Sequence, residues 1–142
     1  MGKTDIVTAE WLDNMVFDTT VDGHHVIIDS DPAFGGQNKG PKPKPFMLVA
    51  LAGCTAMDVI SMLRKMRVVP ERFNVRVFGR LTEEHPKHYS SIHVVYEFTG
   101  DNLPMEKLKR AVELSENSYC GVMHVYRKAM ELTSEIVVEP KP

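Results

Sequence analysis

A nearly unbroken apolar run from Phe46 to Met57 constrains the fold of this chain more than any other feature. Its flanks favour a helix that begins near Pro45, since proline is common in the first turn, and that ends near Arg67, before Pro70. The first three turns of this helix are apolar on every side, so several sides have to be covered by other elements. One small sheet does not provide that much cover.

Alternating apolar residues predict a three-stranded antiparallel meander before the helix. The predicted strands cover residues 6–11, 15–20 and 25–29, with a turn at 21–24. Residues 31–45 follow as a loop or arm, because their content of proline, glycine and lysine does not favour regular structure.

Further elements are predicted after the long central helix. A two-stranded hairpin comes first, then two helices, of which the second has Ser118 as its N-cap, and then a final strand. The predicted strands cover residues 72–82, 90–99 and 133–138, and the first of the two helices ends near residue 115. This order predicts an α+β fold in a single domain over residues 1–142.

The balance of charge argues against several classes of partner. The chain has 17 basic and 19 acidic residues mixed along its length, and its net charge is -2 at pH 7. No basic surface for nucleic acid or for an anionic membrane is therefore expected. The apolar run is shorter than the ~20 residues that span a bilayer, and no leader-like segment is recognised. We expect a cytoplasmic protein with a small ligand, and neither a nucleic acid nor a membrane as partner.

The chain has two cysteines, Cys54 within the apolar run and Cys120 near the start of the last predicted helix. A permanent disulfide is not expected in a reducing cytoplasm, so any bond between them would be transient. Two interpretations are open at this point. Both thiols fill the core as small apolar side chains, or they form a reversible redox pair.

Signals for metal binding are weak. His85 and His88 lie in the predicted hairpin turn with His93 beside it, and no cysteine is near, which favours solvated histidines. Cys120 and His124 share one helical face, but a zinc site would need two further ligands. We expect neither a metal nor a cofactor.

Three motifs carry the most specific information in the chain. They are GGQNKGP at residues 35–41, LVALAGCTAMDV at 48–59 and SENSYC at 115–120. With the order of elements, they resemble the OsmC/Ohr family of osmotically induced and organic hydroperoxide resistance proteins over nearly the whole chain. Both cysteines, together with Asp58, resemble its YhfA-like branch more than the best-studied Ohr enzymes.

The resemblance implies an OsmC-like intertwined homodimer, in which the central helices of two subunits lie between sheets. It also implies a thiol-dependent peroxidase that reduces small organic hydroperoxides in defence against oxidative stress. Cys54 would be the reactive thiol and Cys120 the resolving thiol, and a thiol reductant that the sequence does not identify would regenerate them. The alternative is a non-catalytic protein that binds a small apolar ligand at the dimer interface.

The chain departs from the Ohr pattern at the residues that activate the thiol. A thiol with a pKa of ~8.5 needs a nearby cation or a helix N-terminus to ionise at neutral pH. Ohr enzymes use an arginine and a glutamate for this. Here no arginine precedes Arg64, and Lys44 occupies the place of the glutamate. Lys44, His24 and His25 are therefore the predicted sources of positive charge for Cys54.

The surroundings of the two thiols are predicted to differ. Asp58 lies one helical turn after Cys54 and would oppose its thiolate if ionised nearby. Cys120 would lie in the first turn of a helix with His124 one turn further on, and both features favour a thiolate. Cys120 is thus predicted to be the more reactive thiol.

Overall fold

The computed structural model describes residues 2–142, and these form two compact units, one ending at Phe46 and the other beginning at Met47. The first unit contains a sheet of three strands, and the second contains a long helix, a further sheet and the remaining helices. The order of strands and helices confirms the predicted α+β fold.

The first unit is built on an antiparallel meander whose strands pair in sequence order. Its turns place Asn14, Asp22 and Gly23 at positive φ, which these residue types tolerate better than others. The strands lie within two residues of the predicted ranges. They are β1 (Thr8–Asp13), β2 (Val16–Val21) and β3 (His24–Ile28).

One buried carboxylate holds the arm that follows β3. Asp29 is 2% exposed, and its Oδ2 accepts hydrogen bonds from the backbone N–H groups of Gln37 (2.9 Å) and Lys39 (3.2 Å). Its Oδ1 accepts a third bond from the N–H of Ser30 (2.7 Å). These bonds, led by the one from Gln37, lower the pKa of Asp29 below its ordinary value of 3.8.

Two glycines allow the arm to pass close to β3. A Cβ atom on Gly36 would overlap the backbone oxygen of Ser30, and one on Gly40 would overlap that of Ile27. Apart from a 3₁₀ turn at Pro32–Phe34, residues 31–45 contain no helix or strand. The arm therefore keeps its course through hydrogen bonds and close backbone packing.

The second unit packs its helices against a three-stranded sheet in the order β4-β5-β6. Its elements are α1 (Phe46–Lys65), β4 (Arg72–Leu81), β5 (Tyr89–Thr99), α2 (Met105–Leu114), a π-helical turn (Ser115–Tyr119), α3 (Gly121–Tyr126) and β6 (Glu131–Glu139). β4 is antiparallel to the central strand β5, and β6 is parallel to it.

The core of this unit lies between α1, α2 and the central strand. β5 buries the alternate residues Ile92, Val94, Tyr96 and Phe98, as the sequence pattern predicted. α1 buries every fourth residue on one face: Leu51, Thr55, Val59 and Leu63. Thr55 is the single polar member of this face, and it lies at the level of the cysteines.

The third helix starts later than predicted. The chain forms a π-helical turn directly after α2, and Cys120 rather than Ser118 is the N-cap of α3, with its Sγ accepting a hydrogen bond from the Met123 N–H (3.4 Å). π-helical turns occur frequently at functional sites. Hydrophobic periodicity did not indicate this turn, because its residues are almost all polar.

α1 also extends the apolar stretch beyond the run that was first recognised. It has 20 residues and a mean hydropathy of 2.0 over 18 of them, so its length and composition alone would allow it to cross a bilayer. The argument that the apolar segment is too short to span a membrane was therefore wrong. The same properties are found in core helices of soluble proteins, so this is weak evidence for a membrane. Only 22% of the stretch is buried, and Val49 and Met57 are 61% and 72% exposed.

Replacing Asp29 with asparagine should loosen the arm. An amide does not carry the charge that strengthens the bonds to Oδ2, so the backbone amides of Gln37 and Lys39 should exchange with deuterium faster than in the wild type. NMR-detected hydrogen exchange measures this directly. Asp13→Asn, at the exposed end of β1, is the matched control and should leave both exchange rates unchanged.

The arm should also respond to acid in a defined direction. Because the pKa of Asp29 is lowered in the folded state, its contribution to stability is present above pH 3.8 and is lost as the pH falls through the folded-state pKa. The wild-type arm should therefore loosen in acid, and Asp29→Asn should not show this change. Equal acid sensitivity in both proteins would contradict the role given to Asp29.

Candidate active site

Two thiols and a carboxylate converge in the second unit. Cys54 and Asp58 lie one turn apart on α1, and Cys120 is the N-cap residue of α3. The two Sγ atoms and a carboxylate oxygen of Asp58 all lie within 4.8 Å of one another. Both cysteines are reduced, with Cys54 half-buried and Cys120 only 3% exposed. The structure thus brings together three of the residues predicted from the sequence.

The environment of Cys120 disfavours its thiolate. Burial raises the pKa of the Cys120 thiol well above its ordinary value of 9.0, and the nearby Cys54 and Asp58 raise it further. The hydrogen bond from the Met123 N–H acts in the opposite direction but does not outweigh burial. The expectation that the helix end and His124 favour a thiolate at Cys120 was therefore wrong.

A chain of hydroxyl groups lies beside the thiols. Thr55 Oγ1 lies 2.7 Å from Ser115 Oγ and 2.9 Å from the Tyr96 hydroxyl oxygen. All three side chains are 0% exposed. Because α1, the π-helical turn and β5 each contribute one of them, these contacts fix α1 against the sheet at the level of Cys54.

Each end of this row of three hydroxyl groups meets a carboxylate. Ser115 Oγ lies 3.0 Å from Asp58 Oδ2, and the Tyr96 hydroxyl oxygen lies 2.9 Å from Glu116 Oε2. Burial, and then the charge of Glu116, raise the pKa of Tyr96, so its hydroxyl remains a hydrogen-bond donor. The hydrogen bond with Thr55 lowers that pKa by more than the charge of Glu116 raises it, but by less than burial raises it.

An arginine accompanies the second carboxylate. Arg127 Nη2 lies 3.9 Å from Glu116 Oε1, and Arg127 Nη1 donates to the Glu116 backbone oxygen at 2.7 Å. Both residues line a pocket of about 400 Å³ together with Cys120, His124 and Lys128. The carboxylate at this end therefore lies beside a cation, whereas Asp58 lies beside two sulfurs.

The other predicted site residues are divided between the two units. Lys44, His24 and His25 belong to the first unit, where His25 Nδ1 lies 3.1 Å from Asp18 Oδ1. Their predicted role in activating the thiol stays a prediction. His124 lines the pocket beside Cys120, although it does not make Cys120 acidic.

The cluster of two sulfurs and one carboxylate oxygen has one ligand fewer than a structural zinc site. Structural sites bind zinc through four protein ligands, and catalytic sites through three and a water molecule. In the part of the chain that the structure describes, no histidine joins Cys54, Asp58 and Cys120. The grouping differs from the Cys120 and His124 pair considered from the sequence, since Asp58 takes the place of the histidine.

Several site residues were not identified from the sequence. Thr55 had a usable signal, because it is a polar residue on the buried face of an otherwise apolar helix. Tyr96 was placed correctly on the inner face of its strand, but its hydroxyl contacts were not predicted. Ser115 and Glu116 belong to the SENSYC motif, but that motif did not indicate their contacts, and Arg127 gave no signal, since these contacts depend on the π-helical turn.

Comparison with known proteins was made on sequence and on structure. A family model for OsmC-like protein matches residues 36–135. Protein YhfA from Escherichia coli (strain K12) is 30% identical over 126 residues, which cover 88% of this chain and 91% of that protein. These matches confirm the resemblance inferred from the motifs.

Solved structures share the fold over almost the full length. A hypothetical protein from Aquifex aeolicus VF5 has a TM-score of 0.86 at 23% identity, covering 99% of this chain and 100% of that one. An organic hydroperoxide resistance protein from Elizabethkingia anophelis has a TM-score of 0.73 at 11% identity, covering 98% and 99%. At these identities the likeness concerns the fold alone.

Alkylation should distinguish the two thiols. Near neutral pH, iodoacetamide should modify Cys54 in the folded protein and leave Cys120 free, because Cys120 is buried and protonated. Labelling of Cys120 should increase only as the pH rises above 9.0, where its thiolate begins to form. Peptide mapping by mass spectrometry gives both rates, and the unfolded protein, in which both thiols should react, is the control. Faster labelling of Cys120 than of Cys54 at neutral pH would contradict this assignment.

Proposed function

This chain belongs to the OsmC-like protein family, and on that premise we propose that it is a thiol-dependent peroxidase that reduces small organic hydroperoxides in defence against oxidative stress. One observation carries the proposal. The chain has two cysteines, distant in sequence, and their sulfurs lie within 4.8 Å of each other in the reduced protein. A pair that only filled the core would have no need to meet beside a carboxylate.

Exposure supports a different role for each thiol. Cys54 is the more exposed of the two, so a peroxide reaches it first. Cys120 is buried and its raised pKa keeps it protonated, which suits a thiol that reacts only after Cys54 has been oxidised. Cys54 is therefore the proposed nucleophile and Cys120 the resolving thiol.

The first step oxidises Cys54. Its thiolate sulfur attacks one oxygen of the hydroperoxide, the O–O bond breaks, and the alkoxide leaves and takes up a proton to become an alcohol. Cys54 becomes a sulfenic acid, and the peroxide has received two electrons.

The second step forms the disulfide. The Cys120 sulfur attacks the sulfenic sulfur of Cys54, the S–O bond breaks, and hydroxide leaves with the thiol proton as water. The proximity of the two sulfurs makes this step faster than a second oxidation of Cys54. A thiol reductant, which the chain does not identify, then restores both thiols by thiol–disulfide exchange and is itself oxidised to a disulfide.

The proposed assembly is the intertwined homodimer implied by the family. α1 leaves Val49, Met57 and Ile60 exposed in a stripe along the face opposite its buried residues. Contiguous apolar surface of this kind marks an interaction site. A second copy of the chain is the proposed occupant, since the central helices would then cover each other.

A binding function is the second candidate, and one observation favours it. The first unit has an apolar groove of about 400 Å³ lined by Val7, Val21, Val26, Ile28 and Phe46. A small apolar molecule would fit such a groove. Tight binding of an apolar ligand together with two unreactive thiols would support this candidate over the peroxidase.

An equivalent of alkyl hydroperoxide should convert the wild type to an intramolecular disulfide between Cys54 and Cys120, and the count of free thiols should fall from two to zero. Cys120→Ser should instead stop at the sulfenic acid and then over-oxidise to the sulfinic acid, because no second thiol traps it. Mass spectrometry of the oxidised peptides identifies each product. Ser118→Ala, in the same segment, is the matched control and should form the disulfide normally.

The dimer should depend on the exposed stripe of α1. A charge introduced by Met57→Glu would be buried at the interface and should shift the protein towards monomer in sedimentation experiments. Val69→Glu introduces the same charge at an exposed apolar position outside α1 and should remain dimeric. A wild type that is a stable monomer at micromolar concentration would contradict the proposed assembly.

A further inference from the structure

Five side chains connect the thiols to the charged pocket through four short contacts. From Asp58 the contacts lead to Ser115 (3.0 Å), then Thr55 (2.7 Å), then Tyr96 (2.9 Å) and finally Glu116 (2.9 Å). We call this series the hydroxyl chain. Its three hydroxyl residues have no exposed surface, so the hydrogens in the contacts between them are supplied by the five side chains and not by water.

The number of available protons does not match the number of contacts. The three hydroxyls provide three protons for four contacts. If Asp58 and Glu116 are both ionised, Ser115 and Tyr96 donate to them, and Thr55 has one proton left for two neighbours. One buried contact then brings two oxygens together without a hydrogen between them, which is costly. A fourth proton, on either carboxyl group, supplies every contact.

We propose that the hydroxyl chain contains one shared proton and relays it between Asp58 and Glu116. With the proton on Asp58, each group donates to the next in the direction of Glu116. With the proton on Glu116, each group donates in the direction of Asp58. The two arrangements use the same contacts, so a small shift of every proton converts one into the other.

The position of the shared proton decides where the negative charge lies. When the proton is on Glu116, the charge is on Asp58, beside both sulfurs. When the proton is on Asp58, the charge is on Glu116, beside the Arg127 guanidinium. A thiolate forming on Cys54 repels a charge on Asp58 and draws the proton towards it. Arg127 thereby favours the Cys54 thiolate without touching it and is a positioning residue.

The relay also supplies the proton that the first chemical step consumes, a role that rests on the proposed peroxidase function. As the O–O bond breaks, the Asp58 carboxyl group donates its proton to the leaving alkoxide, which becomes the alcohol. The hydroxyl chain then has three protons and two ionised carboxylates. One proton from solvent, taken up at Glu116 where it lines the pocket, restores the shared proton.

The charged groups around both ends bear on any test by pH. Asp58 faces the two thiols and Ser115, and Glu116 faces Tyr96 and Arg127. The two pockets that Glu116 lines also contain His124, Lys128, Lys109, Glu113 and Glu135. Variants are therefore best compared at one fixed pH near neutrality.

A double-mutant cycle tests whether Arg127 acts through the hydroxyl chain. Arg127→Gln should slow the alkylation of Cys54 by iodoacetamide about three- to tenfold, the size of coupling usual within one hydrogen-bond network. Valine has nearly the shape of threonine but no hydroxyl group, so Thr55→Val interrupts the hydroxyl chain. Arg127→Gln should therefore have no further effect in that background. An equal effect of Arg127→Gln in both backgrounds would overturn the relay.

Infrared spectroscopy tests the shared proton without any reaction. The wild type should show a carboxylic-acid C=O band near neutral pH that shifts in D₂O. Thr55→Val should lack it, because Ser115 then donates to Asp58 and Tyr96 donates to Glu116, and neither carboxylate needs an added proton. Asp58→Asn should lack it too, since the amide supplies the missing hydrogen. A wild type without the band, or a band retained in Thr55→Val, would overturn the proposal.

Two further variants separate the relay from a general loss of structure. Thr55→Ser keeps the hydroxyl and should match the wild type in both experiments, whereas Tyr96→Phe breaks the chain elsewhere and should match Thr55→Val. If Thr55→Val does not fold, Tyr96→Phe takes its place in the cycle. A protein that behaves as predicted in these experiments but does not reduce alkyl hydroperoxides would keep the relay and overturn the proposed function.

Discussion

The contact of Thr55 with Tyr96 and Ser115 determines the geometry on which the site depends. Three elements meet at these hydroxyls: the central helix, the middle strand and the π-helical turn. Their distances of 2.7 and 2.9 Å allow little freedom in the rotation or height of α1. Cys54 lies one residue before Thr55, so its position follows from theirs. The same turn leads into Cys120, which explains how two thiols distant in sequence come together.

This arrangement shows why the fold was predictable from the sequence and the site only partly so. The order of elements follows from alternation and periodicity, which act over a few residues at a time. Cys54 and Asp58 were related correctly because one helical turn separates them. The contacts of Glu116 and Arg127 depend on a π-helical turn in a polar segment, and no local pattern indicates how such a turn directs side chains.

The wrong prediction about Cys120 has a physical lesson. A helix N-terminus favours an anion, and the Met123 N–H does donate to the sulfur. The α3 helix is short, however, and Cys120 is buried beside a second thiol and a carboxylate. Desolvation and neighbouring negative charge act on the whole thiolate, whereas the helix end offers one long hydrogen bond. Burial therefore outweighs position on the helix.

The proposed relay gives a physical reason for Asp58 next to a nucleophilic thiol. A fixed carboxylate at that place would oppose the thiolate, and from the sequence this looked like a defect of the site. A carboxyl group that shares a proton with a distant partner is different, because its charge can move away when the thiolate forms. The cation then acts at Glu116, through Arg127, and not at the sulfur. In this proposal Arg127, near the C-terminus, supplies the positive charge that an arginine near the N-terminus supplies in Ohr enzymes.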